Sequence, residues 1–237
     1  MSCYHNGAGQ RFHLPERPLE PPDCWAQEEP DAAPDLTFDP EGHVYRLDGR
    51  RVPSVTQLTR IFSADPVQKG GPAELATQAA AERGVILHGY IEHRLRGGDR
   101  ESCELPGGYW RYADGVDLFL AKHTLEPMLV EAPLHGEAEG VQFAGTPDCV
   151  GLFDGVLSVL DWNFSSQVQK TRVGAQLNGY LSLCLCNDIF PGALYCVQFL
   201  PDGTYRLYPA GTLADSFYLC LSVYREIHKR HPRGGIA

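Results

Sequence analysis

The sequence predicts an α/β domain in which helices flank a central mixed β-sheet. Two observations predict this class. Predicted helices are followed by a run of antiparallel strands, a further helix, more strands and a final helix, an order typical of an α/β or α+β domain whose sheet is flanked by helices. The 237 residues suffice for one sizeable hydrophobic core, and a content of 43% hydrophobic and 21% charged residues is that of an ordinary globular protein.

Residues 1–35 are predicted to be a flexible leader, and residues 36–237 the folded domain. Six prolines interrupt this leader among acidic residues, a composition that favours extended chain. Its start lacks the basic residues and apolar stretch of a secretory signal, and no apolar run in the chain approaches the length of a membrane span. We therefore expect a cytoplasmic protein with no membrane partner, whose eight cysteines are free thiols.

The folded domain is expected to begin with a small hairpin. The segment LTFDPEGHVYRLDGRRVPSV, which starts at Leu36, alternates apolar and polar residues and contains the turn signals DPEG and DG. Ser54 then suits the N-cap of a short helix, VTQLTRIF. Pro72 suits the first position of a longer helix that ends before Gly97 and Gly98.

A third helix is expected in the segment YWRYADGVDLFLAKHT, although Gly115 lowers the helix propensity there. Four strands follow, at 127–134, 140–146, 148–153 and 156–161, and the Asp154-Gly155 turn joins the last two. A largely buried helix, TRVGAQLNGYLSLCLC, comes next. The segments ALYCVQFL and TYRLYPA then predict a second hairpin, and the amphipathic helix DSFYLCLSVYREIHKR follows it.

Three cysteines, Cys184, Cys186 and Cys196, lie close together in the sequence. Their spacing matches neither a zinc ribbon nor a common iron–sulfur run, and they stand in apolar segments. They are therefore expected to be small, buried hydrophobic residues.

The net charge of −10 argues against a protein that coats nucleic acid by charge alone. It does not exclude an enzyme whose acidic site is neutralised by cations and whose basic residues are grouped locally.

Two aspartates flank the predicted hairpin at 148–161. Asp148 begins one strand and Asp161 ends the other, and both stand at the same distance from the Asp154-Gly155 turn, so antiparallel pairing sets them opposite each other. Two carboxylates at short range repel unless a proton or a cation lies between them, and hard oxygen ligands suit Mg²⁺ or Mn²⁺. The other interpretation is that both aspartates are ordinary hydrated residues at the ends of strands, with no chemical role.

Two helices carry further candidates at a spacing of four residues. His88 and Glu92 share one face of the long helix, and a neutral imidazole at His88 suits the same cation. Gln176 and Tyr180 share one face of the buried helix. The alternative for each pair is ordinary packing, with the polar groups satisfied by solvent or backbone.

Five short motifs occur in a fixed order: Arg83-Gly84-x-x-x-His88, Glu131 on the first strand, Gly145-Thr146-x-Asp148, Asp161-Trp162-Asn163, and Gln176-x-x-x-Tyr180. In this order they resemble the PD-(D/E)XK nuclease superfamily, and within it the RecB-like and phage-exonuclease branch. The segment VYRLDGRRVPSVTQL is similar to the lead-in of phage-encoded members. The resemblance spans residues 43–185 and implies a restriction-endonuclease-like core.

The resemblance also implies a metal centre. The ligands of an Mg²⁺ or Mn²⁺ ion would be His88, Asp148, Asp161 and the backbone carbonyl of Trp162. Glu131 and Asn163 would join the two aspartates as catalytic residues. A metal-activated water would attack a phosphodiester in line, and the metal would stabilise the charge that develops on the phosphate.

DNA is the substrate that the resemblance implies. The residues expected to contact it are Gln176, Tyr180, Arg83 and Lys170. A recombination or single-strand-binding protein is a further expected partner. Nothing in the sequence specifies an oligomeric state.

Asn163 stands where the resemblance predicts a lysine, whose ammonium would orient the attacking water and neutralise charge on the phosphate. Asparagine hydrogen-bonds water but brings no charge and cannot change protonation, so we expect weakened catalysis. Three explanations stay open: a designed substitution that traps a substrate complex, a natural change that leaves a binding protein, or takeover by another cation, Lys170 or Arg172. The alternative is that Lys170 and Arg172 only stand at the solvent-exposed start of a helix.

The sequence therefore predicts a metal-dependent deoxyribonuclease weakened by Asn163. It would be an exonuclease of phage-type recombination, repair or genome processing in a bacterial or phage-infected cytoplasm. The alternative is a catalytically inactive nuclease-fold protein that binds DNA or a protein partner as a regulatory module. A third interpretation is an α/β protein whose acidic strand ends do no chemistry. Metal-dependent cleavage distinguishes the first from the other two.

Overall fold

The computed structural model describes residues 34–40, 42–63, 72–211 and 215–230. Three short antiparallel strands come first, β1 (Leu36–Asp39), β2 (Val44–Leu47) and β3 (Arg50–Val52). The expected single hairpin is therefore wrong in its number of strands, because both turn signals reverse the chain and form a three-stranded sheet. The predicted leader at 1–35 lies outside the described residues, except for Pro34 and Asp35.

Helices form at the predicted positions, but in the predicted segment VTQLTRIF only Val55–Leu58 is α-helical, and Thr59–Phe62 is a 3-10 helix. Ser54 caps the first, α1 (Val55–Leu58), through a capping box: its hydroxyl accepts from the amide of Gln57, and the Gln57 side chain accepts from the amide of Ser54, each at 3.1 Å. The longer helices of the described residues are α2 (Pro72–Leu95), α3 (Trp110–Lys122), α4 (Lys170–Cys186) and α5 (Asp215–Arg230). Among the described residues, no helix is both long enough and apolar enough to cross a membrane.

The central sheet has five strands. The strands after α3 are β4 (Leu125–Val130), β5 (Leu134–Ala138), β6 (Val141–Gly145), β7 (Cys149–Phe153), β8 (Val156–Asn163), β9 (Ala193–Phe199) and β10 (Tyr205–Ala210). The central order is β10-β9-β8-β7-β4, with β8 and β9 parallel and the other pairs antiparallel, while β5 and β6 form a separate two-stranded sheet. The predicted class, a mixed sheet flanked by helices, is confirmed.

The prediction of one continuous strand over 127–134 is wrong. β4 ends at Val130, Glu131 adopts a φ of +47°, and Leu134 begins β5, which pairs with β6 outside the central sheet. A left-handed φ is unfavourable for glutamate and is incompatible with strand geometry. The chain therefore leaves the central sheet at Glu131.

Alternation along β7 and β8 divides the core into two hydrophobic clusters, one on each face of the sheet. Val150 and Val159 belong to the cluster that includes residues of α4 and α5. Cys149 and Leu160 belong to the cluster that includes residues of α2 and α3. All four residues are fully buried. Helices thus seal both faces of the sheet, as in other α/β folds.

The cysteines differ in burial from what the sequence predicts. Cys184 and Cys196 are buried in the cluster on the α4 face, as expected of small hydrophobic residues. Cys186 is exposed at the last position of α4, so the expectation for it is wrong. Six cysteines lie among the described residues, all as free thiols.

Gly115 lies buried inside α3 despite its low helix propensity. A Cβ atom at this position would lie 2.8 Å from the carbonyl oxygen of Thr204, between β9 and β10. That neighbour is backbone and cannot rotate away as a long side chain can. The close approach of α3 to this turn therefore requires glycine.

We expect Gly115→Ala to destabilise the protein by about 1–3 kcal/mol, because the added methyl group would displace the Thr204 backbone. Gly174→Ala is the matched control: Gly174 lies within α4, and a Cβ there meets no atom within 4 Å. This second change should leave stability unaltered or raise it by up to about 1 kcal/mol. Chemical denaturation measures both, and equal effects of the two changes would contradict the close contact.

Candidate functional site

Asp148 and Asp161 lie opposite each other at one end of the β7–β8 pair. In the antiparallel register Cys149 faces Leu160, and the next pair in this register is the two aspartates. Asp148 is 7% exposed and Asp161 is 6% exposed. The backbone amide of Trp162 donates to Asp148 Oδ2 at 2.6 Å, which holds that carboxylate against β8. Hairpin pairing thus places two carboxylates together in a buried position.

His88 of α2 and Glu131 after β4 complete a cluster around Asp148. The His88 Nδ1 atom lies 3.1 Å from Glu131 Oε1 and 3.6 Å from Asp148 Oδ1. Candidate ligand atoms of the three residues all lie within 4.8 Å of one another. The amide of Glu131 donates to the carbonyl of Asp148 at 3.2 Å, and this bond accompanies the left-handed φ of Glu131. An imidazole and carboxylates at this spacing suit a divalent ion.

The carboxylates and the imidazole change one another's pKa values. Burial, with repulsion from Asp161 and Glu131, raises the pKa of Asp148 well above its usual value. Burial also raises the pKa of Asp161 to about 6, although His88 and a hydrogen bond from Gln176 oppose this. Burial alone would lower the pKa of His88, but the Asp148 and Glu131 carboxylates raise it to about 9. The cluster is short of positive charge and therefore favours a proton or a cation.

Helix α4 presents Gln176 and Tyr180 to this cluster. Gln176 Nε2 donates to Asp161 Oδ1 at 2.8 Å and to the Tyr180 hydroxyl at 3.3 Å. Burial raises the pKa of Tyr180 well above its usual value, so this side chain stays a neutral phenol. Because Gln176 and Tyr180 are four residues apart, they share one helical face. The Gln176 amide therefore contacts both the Asp161 carboxylate, which it orients, and the Tyr180 hydroxyl.

Asn163, at the end of β8, holds the loop that follows it. Its Oδ1 atom accepts from the amide of Ser165 at 2.9 Å and from the hydroxyl of Ser165 at 2.5 Å. The carbonyl of Ser165 in turn accepts from Gln198 Nε2 at 2.7 Å. Asn163 therefore forms part of a local hydrogen-bonded turn, and it also lines the cleft.

The cluster opens into one cleft of about 950 Å³. Phe38, His43 and Thr56, from the three-stranded sheet and α1, form part of its lining. Tyr45 ties this sheet to the site, because its hydroxyl lies 2.8 Å from the Thr146 hydroxyl. Phe38, His43, Tyr45 and Thr56 belong to none of the five motifs. The segment VYRLDGRRVPSVTQL contains Tyr45 and Thr56, whereas no sequence pattern singled out Phe38 or His43.

Comparisons with known proteins find distant similarities among solved structures. No protein-family model matches the chain, and no curated protein matches it. A crystal structure of SSO0001 is 15% identical with a TM-score of 0.35, over 52% of this chain and 61% of the other. An alkaline exonuclease from Laribacter hongkongensis is 11% identical with a TM-score of 0.33, over 76% of this chain and 94% of the other. This chain thus spans about three fifths of the length of SSO0001.

Arg83 and Lys170, two predicted DNA contacts, do not line this cleft. Arg83 donates to the carbonyl of Phe164 at 3.2 Å, and its guanidinium carbon lies 5.4 Å from the centroid of the Tyr112 ring. Lys170 Nζ lies 5.8 Å from the centroid of the Tyr208 ring. Both cations lie against aromatic rings, and their contact with DNA stays a prediction.

Trp162 and Glu92 lie at the edges of the cluster. The ring of Trp162 packs edge-on against Phe119 in the core, while its backbone stays beside Asp148. Glu92, one turn after His88, lines the cleft and pairs with Arg96 at 2.6 Å. Glu92 is therefore already paired with a cation that directly follows the end of α2.

We expect a divalent ion to stabilise the folded protein through this cluster. Saturating Mn²⁺ or Mg²⁺, at about 100 times its dissociation constant, should add about 2.7 kcal/mol to the free energy of unfolding. Asp148→Asn should abolish this gain. The matched control is Asp188→Asn, because Asp188 is exposed and has a φ of +57° that asparagine tolerates. Thermal unfolding with and without the ion measures the gain, and an equal gain in both variants would contradict the site.

We expect the metal-free protein to lose stability as the pH rises from 6.5 to 9. His88 keeps its proton up to about pH 9 when folded but only to about 6.5 when unfolded, so the folded state binds the extra proton in this window. The contribution is complete below pH 6.5 and is lost on passing pH 9; it amounts to at most about 3 kcal/mol. Urea denaturation in EDTA measures it. His88→Gln should make the decline shallower, and an unchanged decline would refute the assignment.

Proposed function

We propose that this protein is a divalent-metal-dependent deoxyribonuclease. The observation that supports it is the convergence of His88, Glu131, Asp148 and Asp161 at one buried corner of an open cleft. Elements distant in sequence bring these groups together, and their charges do not balance. Such a cluster is typical of sites that hold a cation for chemistry on a phosphate.

The donor set fits a hard divalent ion. We propose His88, Asp148, Asp161 and the backbone carbonyl of Trp162 as its ligands, with Glu131 next to them as a catalytic carboxylate. Carboxylate and carbonyl oxygens with one imidazole suit Mg²⁺ or Mn²⁺. When bound, such an ion would polarise a phosphate oxygen and lower the pKa of water.

The protein's own groups position this chemistry. The Trp162 amide fixes one oxygen of Asp148, and Gln176 fixes one oxygen of Asp161, so each aspartate keeps another oxygen for a ligand. The Tyr180 hydroxyl accepts a second hydrogen bond from the Gln176 amide and so helps to fix its orientation. Asn163 offers an amide group to water but no charge, and for this reason we propose a slow enzyme.

The nucleic acid proposed as substrate is DNA, on the motif order described above. A polyanion approaches a chain of net charge −10 and an acidic cleft only if cations offset the repulsion, which agrees with a metal-dependent reaction. On the same resemblance we propose an exonuclease of phage-type recombination, repair or genome processing. A recombination or single-strand-binding protein is its proposed partner.

One observation favours a second candidate function, a nuclease-fold protein that binds DNA or a protein without cutting. Asn163 accepts two hydrogen bonds from Ser165, so the loop after β8 is built around an asparagine. A lysine at this position would lose both bonds. A binding module is the function expected if this loop evolved for recognition alone.

We expect the unmodified protein to cut linear DNA slowly in Mg²⁺ or Mn²⁺ and not in EDTA. Asp148→Asn should reduce the rate at least about 100-fold, because it removes a carboxylate from the proposed metal site. Asp188→Asn should retain the full rate. The assay includes single- and double-stranded, linear and circular DNA and is followed by gel electrophoresis.

Asn163→Lys separates the two candidate functions in the same assay. Faster cutting by this variant supports a nuclease that Asn163 weakens. If neither protein cuts any substrate while both bind DNA, the binding module is correct and the enzyme proposal is wrong.

A further inference from the structure

Arg172 lies in the first turns of α4, four residues before Gln176. Residues at this spacing share one face of a helix, and Gln176 donates to Asp161, so this face of α4 is turned toward the cluster. Arg172 and Gln176 both line the cleft. Within the described part of the chain, Arg172 is the only lysine or arginine that does so.

The guanidinium of Arg172 is not fully satisfied by the protein. Its Nε atom is buried and has no hydrogen-bond partner among the described residues. Its charge nevertheless acts at the site, since it lowers the pKa of Asp161 against the effect of burial. A buried donor without a partner is costly, and a ligand that accepts from it would remove that cost.

Other cations near the site contact protein groups and do not line the cleft, although Arg83 Nε, like Arg172 Nε, is buried without a hydrogen-bond partner among the described residues. Lys170 packs on the ring of Tyr208, and Arg83 donates to the carbonyl of Phe164. Arg96 pairs with Glu92 at the edge of the cleft. Arg172 is thus the cation whose side chain lines the cleft and retains an unused donor.

We propose that Arg172 binds the phosphate to be cut and supplies the positive charge that Asn163 lacks. This inference rests on the proposed nuclease function. A guanidinium suits the role because it is permanently charged and presents paired N–H donors that match two phosphate oxygens. The residue would therefore be a catalytic residue of this chain, located on α4 and not at the end of β8.

The role of Arg172 in hydrolysis is purely electrostatic. The oxygen of one water forms a bond to phosphorus, and one phosphorus–oxygen bond of the DNA backbone breaks. The attacking water loses one proton to solvent, and the leaving oxygen gains one from solvent. Arg172 keeps its proton throughout and stabilises the negative charge that develops on the phosphate oxygens.

The test compares Arg172→Gln with Arg206→Gln, a matched loss of one arginine charge. Arg206 is exposed on β10 and does not line the cleft. In single-turnover assays with Mn²⁺, Arg172→Gln should lower the cleavage rate about 100-fold or more, the usual effect of removing one transition-state donor. Arg206→Gln should keep the rate. Arg172→Lys should retain more activity than Arg172→Gln, because it keeps the charge and loses only the paired donors.

A second readout does not depend on cleavage. Binding of a single-stranded oligonucleotide in Ca²⁺ is measured over a range of salt concentrations. Arg172→Gln should make the slope of log Kd against log salt shallower by about 0.7, the value for one lost phosphate contact. Arg206→Gln should leave the slope unchanged. Thermal unfolding checks that both variants are folded.

The outcomes separate this inference from the proposed function. If Asn163→Lys restores cutting to Arg172→Gln, one charge has replaced the other and the inference is supported. If the unmodified protein cuts and Arg172→Gln cuts equally well, Arg172 has no such role, although the nuclease function stands. If only Asn163→Lys cuts, Arg172 does not supply the charge, and the nuclease site is nonetheless real. If no variant cuts, both proposals fail.

Discussion

Asp148 and Asp161 face each other in a buried position, and the repulsion between these two carboxylates governs the groups around them. Both are largely buried, so water screens them only weakly and each nearby donor has a large effect. The amide of Trp162 and the side chain of Gln176 each satisfy one carboxylate oxygen, and His88 contributes an imidazole. Glu131 adds a third carboxylate, and the His88 imidazole interacts with it as well as with Asp148. The cluster is left with an excess of negative charge that a cation would neutralise.

The fold explains why this excess collects at the end of a strand pair. Two hydrophobic clusters seal the faces of the central sheet, so polar groups gather where β7 begins and β8 ends. His88 arrives on α2 from one face of the sheet, and Gln176 arrives on α4 from the other. The three-stranded sheet forms part of the cleft lining and is tied to the site through the contact of Tyr45 with Thr146. The site therefore depends on elements from both layers and would not survive the loss of either.

Local rules predicted part of this arrangement. The Asp154-Gly155 turn sets the register of β7 and β8, so the meeting of the two aspartates follows from the sequence alone. Helical periodicity likewise placed Gln176 and Tyr180 on one face. Glu131 was different, because its left-handed backbone is held by tertiary contacts with Asp148 and His88 that no local pattern reports. This is why the predicted strand at 127–134 ran too far.

The directions of long cationic side chains were equally beyond sequence reasoning. Arg83 and Lys170 stand in suitable positions along the chain, yet their charged groups meet aromatic rings outside the cleft. Arg172, two residues after Lys170, lines the cleft instead. Rotamers of such side chains depend on distant neighbours, here Tyr112 and Tyr208, and not on spacing. The loop built on Asn163 belongs to the same class, since it relies on Gln198 of another strand.

The most direct measurement is an anomalous difference map from a crystal of this protein soaked in Mn²⁺. We expect one strong peak between the carboxylates of Asp148 and Asp161, within coordination distance of both and beside His88. Refined distances of roughly 2.0–2.3 Å to the ligand atoms would establish the ion as the missing positive charge. A well-ordered cluster without such a peak at saturating Mn²⁺ would contradict the view that a cation belongs at this site.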